Sequence, residues 1–262
     1  MKYGFIGCGN MGGAIAKALR RQTADIIIAD PSAAAKTFAQ SLGLSHTDNE
    51  TLVSSCERIF LAVKPHLMKG VLEPLQKTLA EKKPLLISMA AGLEIAQIRS
   101  FAGCDLPIIR IMPNTPVSIG KGMIQYCRNS LVSDEVLEDW LADMQDCGRL
   151  DALEERLIDA SAALSGAGPA FMYMFIEALA DGAVACGIPR AKAYEYAAAT
   201  MAGAAELVLA SGQHPGALKD AVCSPGGSTI AGVRVLEENG FRGAAMDCII
   251  AACQKNKELG KQ

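Results

Sequence analysis

Gly7-Cys8-Gly9-Asn10-Met11-Gly12 follows a short apolar run and opens a helical pattern close to the start of the chain. A first glycine at this spacing permits a tight turn, a second lets the backbone approach a pyrophosphate, and a third lets the helix pack on its strand. The amides that begin the helix then face the phosphates. Spacing and context together predict dinucleotide binding, with a plain structural glycine turn as the alternative. Asp30 ends the next apolar run, the position where a carboxylate bonds a ribose 2′-hydroxyl and repels a 2′-phosphate. Taken alone it favours NAD over NADP. An exposed acidic turn residue before Pro31 would look the same, and Arg20, Arg21 or Lys36 could reach a phosphate, so the choice stays open.

Three further segments sit where later strands should end: Ala62-Val63-Lys64-Pro65, Met89-Ala90-Ala91-Gly92 and Met112-Pro113-Asn114-Thr115-Pro116. Small residues and an Asn-Thr pair suit the edge of a nicotinamide pocket, although turn chemistry explains them equally well. Lys64 is read as a solvated lysine at the cofactor edge rather than a catalytic acid. In the second half, Ser224-Pro225-Gly226-Gly227-Ser228-Thr229-Ile230 frees backbone amides just before a helix and sets hydroxyls beside them. That is a cradle suited to a carboxylate, or an N-capping loop and no more.

Apolar runs at 2–6, 26–29, 58–63, 85–89 and 108–111 alternate with helical patterns at 11–21, 33–42, 66–79 and 94–101. Runs of this continuity suit strands buried on both faces, and the alternation implies βαβ crossovers. Residues 122–126 could add a strand, and 134–144 a helix capped by Ser133. After Leu150 the strand signal stops, alanine becomes dense, and helices are expected near 154–164, 170–186, 190–210, 215–222, 229–239 and 241–259. The expected fold is therefore α/β: a Rossmann-type parallel sheet domain over 1–153, then an all-helical domain over 154–262.

With 25 Lys and Arg against 28 Asp and Glu, the net charge of −3 offers no basic surplus for a nucleic acid. The chain opens directly into a strand-like run, and its longest uncharged window, 160–176, reads as a buried helix pair rather than a membrane span. The nine cysteines are scattered and the three histidines lie at no metal-ligand spacing, so reduced thiols, no metal and a cytoplasmic location are expected.

The motifs occur together in one order: Gly7-x-Gly9-x-Met11-Gly12, Ala62-Val63-Lys64-Pro65, Met89-Ala90-Ala91-Gly92, Arg110-x-Met112-Pro113-Asn114-Thr115-Pro116, Ser165-Gly166-x-Gly168-Pro169-Ala170 and His214-Pro215-Gly216-x-Leu218-Lys219-Asp220. With the Ser224–Ile230 segment added, the chain resembles pyrroline-5-carboxylate reductase over nearly its whole length. The resemblance implies hydride transfer from NADPH or NADH to 1-pyrroline-5-carboxylate, giving L-proline in the last step of proline biosynthesis. It implies an intertwined homodimer, or a ring of dimers, through the helical domain. Cofactor contacts would come from Ile6, Gly7, Cys8, Gly9, Asn10, Met11, Gly12, Asp30, Asn49, Ala62, Val63, Lys64, Pro65, Ala91 and Asn114. Ser224, Gly226, Gly227 and Ser228 would hold the substrate carboxylate, on a loop drawn from the partner subunit, and Thr229 would hydrogen-bond the ring nitrogen.

This chain departs from many members of that family in carrying Asp30-Pro31-Ser32 where they have a small or basic residue and prefer NADPH. A β-hydroxyacid dehydrogenase is the rival enzyme reading, but the lysine such enzymes use as an acid is missing from 165–174. A non-catalytic dinucleotide sensor is the rival outside enzymes, and it would have no need of the Thr229 hydroxyl.

Overall fold

The structure, a computed structural model, describes residues 2–22 and 25–259. In chain order its elements begin β1 (Tyr3–Ile6), α1 (Asn10–Leu19), β2 (Ile26–Ala29), α2 (Ala33–Ser41), β3 (Ser45–His46), α3 (Asn49–Ser55), β4 (Arg58–Leu61) and α4 (Met68–Leu72). There follow α5 (Gln76–Lys82), β5 (Leu85–Ser88), α6 (Ile95–Ala102), β6 (Ile108–Met112), β7 (Gly122–Arg128), α7 (Asp134–Asp143) and β8 (Gly148–Ala152). The helical remainder is α8 (Glu155–Ser165), α9 (Gly168–Ala185), α10 (Arg190–Ser211), α11 (Pro215–Val222), α12 (Ser228–Glu238) and α13 (Phe241–Leu259).

All eight strands join one sheet in the order β3-β2-β1-β4-β5-β6-β7-β8. The first six run parallel, β7 is antiparallel to β6, and β8 is parallel to β7. Side chains alternate across the central strands. Phe5, Ile28, Phe60, Ile87 and Ile109 pack one face against Ile15 and Leu19 of α1 and Trp140 of α7. Ile6, Ile27, Ile59, Leu61 and Leu86 pack the other against Leu52, Leu72, Leu79 and Ile98. Burial on both faces explains why these strands read as unbroken apolar runs.

The helix expected over 66–79 is divided by a 3-10 segment, Glu73–Leu75, where Pro74 supplies no amide for the ladder. Three elements were not expected. β3 has two exposed residues, α3 has seven residues, and β8 is an exposed edge strand carrying Arg149 and Asp151. None of them presents an apolar run.

By packing, Met1–Ala167 with Ala252–Gln262 form one compact unit and Gly168–Ala251 a second. The division expected at 153/154 follows the change from strands to helices, whereas α8 packs on β6 and β7. Its anchor is Arg110, in the middle of β6 and 1% exposed. The guanidinium lies 2.6 Å from Asp159 Oδ1 and 3.5 Å from Glu155 Oε1, both on α8. The same oxygens accept the Gly92 amide at 3.1 Å and the Ile95 amide at 2.7 Å, so one pair of carboxylates fixes both β6 and the turn after β5.

The second unit is thinly cored. Among the described residues its buried apolar side chains are Ala180, Ala193 and Ala197, where α9 meets α10. The stretch Glu155–Ala185 is long and apolar enough to cross a membrane by length and composition. It is two helices, of which α8 buries Ile158, Ala162 and Ala163 while α9 leaves Met172, Tyr173, Met174 and Leu179 exposed. The buried pair expected there is thus realised only in α8.

Removing Asp159 would leave the Arg110 charge buried with one distant partner. Because the carboxylate is itself about a third exposed, Asp159→Ala should cost about 2–3 kcal/mol, read as a lower midpoint in chemical denaturation at fixed protein concentration.

Candidate nucleotide and substrate sites

Since the first six strands run parallel, their carboxyl ends share one edge of the sheet. Chain order reverses between β1 and β4, and ligands of open α/β sheets bind at such a switch point. Gly7 turns the chain there with φ +92°, and a Cβ on it would stand 2.8 Å from the Ala62 carbonyl. A Cβ on Gly12 would stand 2.8 Å from the Gly7 oxygen and 2.9 Å from the Ala62 Cβ, so α1 lies flush on the turn. Gly9 differs. Its φ of −71° is open to any residue, and nothing of the protein lies within 4 Å of where its Cβ would be. Gly9 caps α1 without a side-chain hydrogen bond, leaving the amides of Asn10, Met11 and Gly12 to an outside acceptor. The empty space over Gly9 beside uncapped amides fits a pyrophosphate.

Asp30 leaves β2 beside this turn. Its Oδ2 accepts the Cys8 amide at 2.8 Å and its Oδ1 the Ser32 amide at 2.8 Å. His46 Nε2 donates to the Asp30 carbonyl at 2.8 Å. Burial works to raise the Asp30 pKa, but hydrogen bonds from Ser32 and Cys8 and the proximity of His46 outweigh it, holding the carboxyl below its usual value. Its contribution to stability is therefore present above about pH 4 and lost only as pH falls through the lowered value. The Cys8 thiol is pushed up to about 11 by burial and by the Asp30 charge, so it is an inert part of the turn.

The remaining expected positions occupy the same edge in different ways. Ile6 is the buried end of β1, and Ala62 and Val63 are half-buried after β4. Lys64 is exposed and extended ahead of a 3-10 turn begun by Pro65. Asn49 is half-buried at the start of α3, and Ala91 is exposed after β5. Asn114 is committed elsewhere: its Oδ1 accepts the Met123 amide at 2.9 Å and its Nδ2 donates to the Ser165 carbonyl at 3.0 Å. Its side chain ties β6 to β7 and to the end of α8. Arg110, Asp159 and His46 also shape this edge without having been singled out. A guanidinium inside the run Ile108-Ile109-Arg110-Ile111 was the available signal, since a buried charge must be paired.

In the second unit Gly227 caps α12 without a side-chain bond, and Gly226 takes φ +68° ahead of it. The Gly227 amide bonds the Ser224 carbonyl at 3.1 Å, closing the turn. Ser224, Gly226, Ser228 and Thr229 are exposed and Gly227 half-buried, so the amides beginning α12 are open to a small anion. Among the described residues no group of three or more His, Cys, Asp or Glu side chains could hold a metal ion.

A parallel sheet with this glycine turn, followed by a helical unit, defines a dinucleotide-dependent oxidoreductase of two units. The family model "Pyrroline-5-carboxylate reductase dimerisation" matches residues 155–259, and "NADP oxidoreductase coenzyme F420-dependent" matches residues 2–92. The curated pyrroline-5-carboxylate reductase of Escherichia coli (strain K12) is 41% identical, over 99% of this chain and 98% of its own length. That of Pisum sativum is 38% identical over 98% and 95%. The solved structure of Plasmodium falciparum pyrroline carboxylate reductase with NADP bound superposes with a TM-score of 0.89 at 34% identity, covering 99% of this chain and 98% of that one. The chain belongs to the pyrroline-5-carboxylate reductase family.

Because position 9 faces open space, Gly9→Val should leave the thermal midpoint nearly unchanged. Dinucleotide affinity by calorimetry should fall at least tenfold, roughly 1.4 kcal/mol. Gly7→Ala should instead destabilise the fold by about 1–3 kcal/mol, because its strain and its clash with Ala62 are internal.

Proposed function

We propose that this protein reduces 1-pyrroline-5-carboxylate to L-proline with NADPH or NADH, closing proline biosynthesis. The observation that carries the reading is the pairing of an uncapped glycine turn at the switch point with a second uncapped helix start at Gly227, in a chain of this family. When bound, the reduced nicotinamide supplies the hydride. The residues after the parallel strands would hold it: amides of the Gly7–Gly12 turn at the phosphates, Asp30 and Asn49 towards the riboses, and Ala62–Pro65 and Ala91 around the ring, with Asn114 bracing that edge from within.

The Ser224–Thr229 loop holds the substrate. Ser224 and the amides of Gly226 and Ser228 take its carboxylate, on a turn that the Gly227 amide closes, leaving the ring to be aligned. A protonated cyclic imine is already electrophilic, so the protein needs no strong acid. Hydride adds to the imine carbon, the C=N bond becomes single, and the nitrogen keeps its proton, hydrogen-bonded to the Thr229 hydroxyl. In a homodimer this loop serves the site of the opposite subunit, and the exposed apolar faces of α9 and α10 supply the contact surface. Rings of dimers and a cytoplasmic location complete the proposal.

Reduced-cofactor absorbance should fall only when pyrroline-5-carboxylate is present; binding without oxidation would defeat the reading. Thr229→Ala should lower kcat by about tenfold to a hundredfold with dinucleotide affinity unchanged, and an unaltered kcat would remove Thr229 from the chemistry.

A further inference from the structure

The reductase reading leaves two cofactors open, and what distinguishes them is one phosphate on the adenosine ribose. We infer that Asp30 makes this enzyme an NADH-preferring member of its family by occupying the place that phosphate would need. The inference rests on the reductase reading and on four features of the turn after β2.

Asp30 is the first residue beyond β2, where a Rossmann-type sheet presents its ribose-binding group. Its orientation is fixed rather than free, because the Cys8 amide and the Ser32 amide hold one carboxylate oxygen each. Cys8 stands between Gly7 and Gly9, so the charge is tied directly to the turn over which the pyrophosphate fits. Each oxygen keeps acceptor capacity beyond its one amide, and the residue is part-exposed, so ribose hydroxyls can donate to it.

The turn itself supplies little positive charge to offset a second anion. Residues 30–35 contain no lysine or arginine, and the first cation after Asp30 is Lys36, the fourth residue of α2. His46 is already engaged, donating to the Asp30 carbonyl. At the start of α2 the Ala35 amide is taken by the Ser32 hydroxyl at 3.2 Å, which leaves the helix end partly capped. A 2′-phosphate would thus meet a fixed carboxylate, whereas a 2′-hydroxyl would find an acceptor.

The test compares NAD+ with NADP+ binding by calorimetry, and NADH with NADPH in turnover, for the native protein and for Asp30→Asn. The amide variant keeps an oxygen for the Cys8 amide and loses the charge. For the native protein we expect NAD+ affinity and kcat/KM with NADH to exceed the phosphorylated pair by at least about tenfold. Asp30→Asn should shrink that ratio mainly by improving NADP+ binding. Equal or tighter NADP+ binding by the native protein, or a ratio untouched by Asp30→Asn, would overturn the inference. Binding order decides the role of Asp30 even if neither reduced cofactor is oxidised, a result that would instead sink the reductase reading.

Discussion

Where the chain leaves β1, Gly7 passes the Ala62 carbonyl so closely that a Cβ would lie 2.8 Å from it, and Gly12 presses on Gly7 in the same way. This close approach sets the axis of α1, the separation of β1 from β4, and the direction of the three uncapped amides. Everything that makes the edge a candidate nucleotide site follows from it. The Asp30 carboxylate reaches the Cys8 amide only because the turn is that tight, and the gap above Gly9 exists because no side chain fills it. A glycine can therefore be required by the protein or by its ligand, and the two demands separate at positions only two residues apart.

The far side of the edge is held by charge as well as by apolar contact. Arg110 is enclosed within the sheet, and its two carboxylate partners on α8 also brace the amides after β5. A buried ion pair of this kind adds little net stability over an apolar equivalent, but it punishes any other arrangement, since each mispairing strands a buried charge. Asn114 works similarly with neutral groups, joining β6, β7 and the end of α8 through one side chain. The strand ends are thus placed by groups that have few alternative partners.

The sheet was legible in the sequence because its central strands are buried on both faces, and the glycine turn because strand and helix flank it directly. The motif order carried the family. The strands that escaped notice had no local signature. β3 and β8 lie at the edges of the sheet and carry no apolar run, and the helix expected over 66–79 depended on a period that Pro74 interrupts. The residues at 91, 114 and 224–229 were singled out by type, but type could not show that both ends of the Asn114 side chain are engaged within the protein. Nor could it show that Asp30 is oriented by two amides, a fact of the folded turn alone.

The helical unit has only three buried alanines at its centre among the described residues, with large apolar side chains turned outward along α9 and α10. Alanine side chains contribute little transfer free energy, so the outward faces of these helices are the surface that a second copy would cover in a dimer. Where a dimer forms on those faces, folding and assembly share one equilibrium, governed by mass action. The midpoint of thermal unfolding is in that case not a constant of this polypeptide; it rises with concentration, and dilution alone is a denaturing condition.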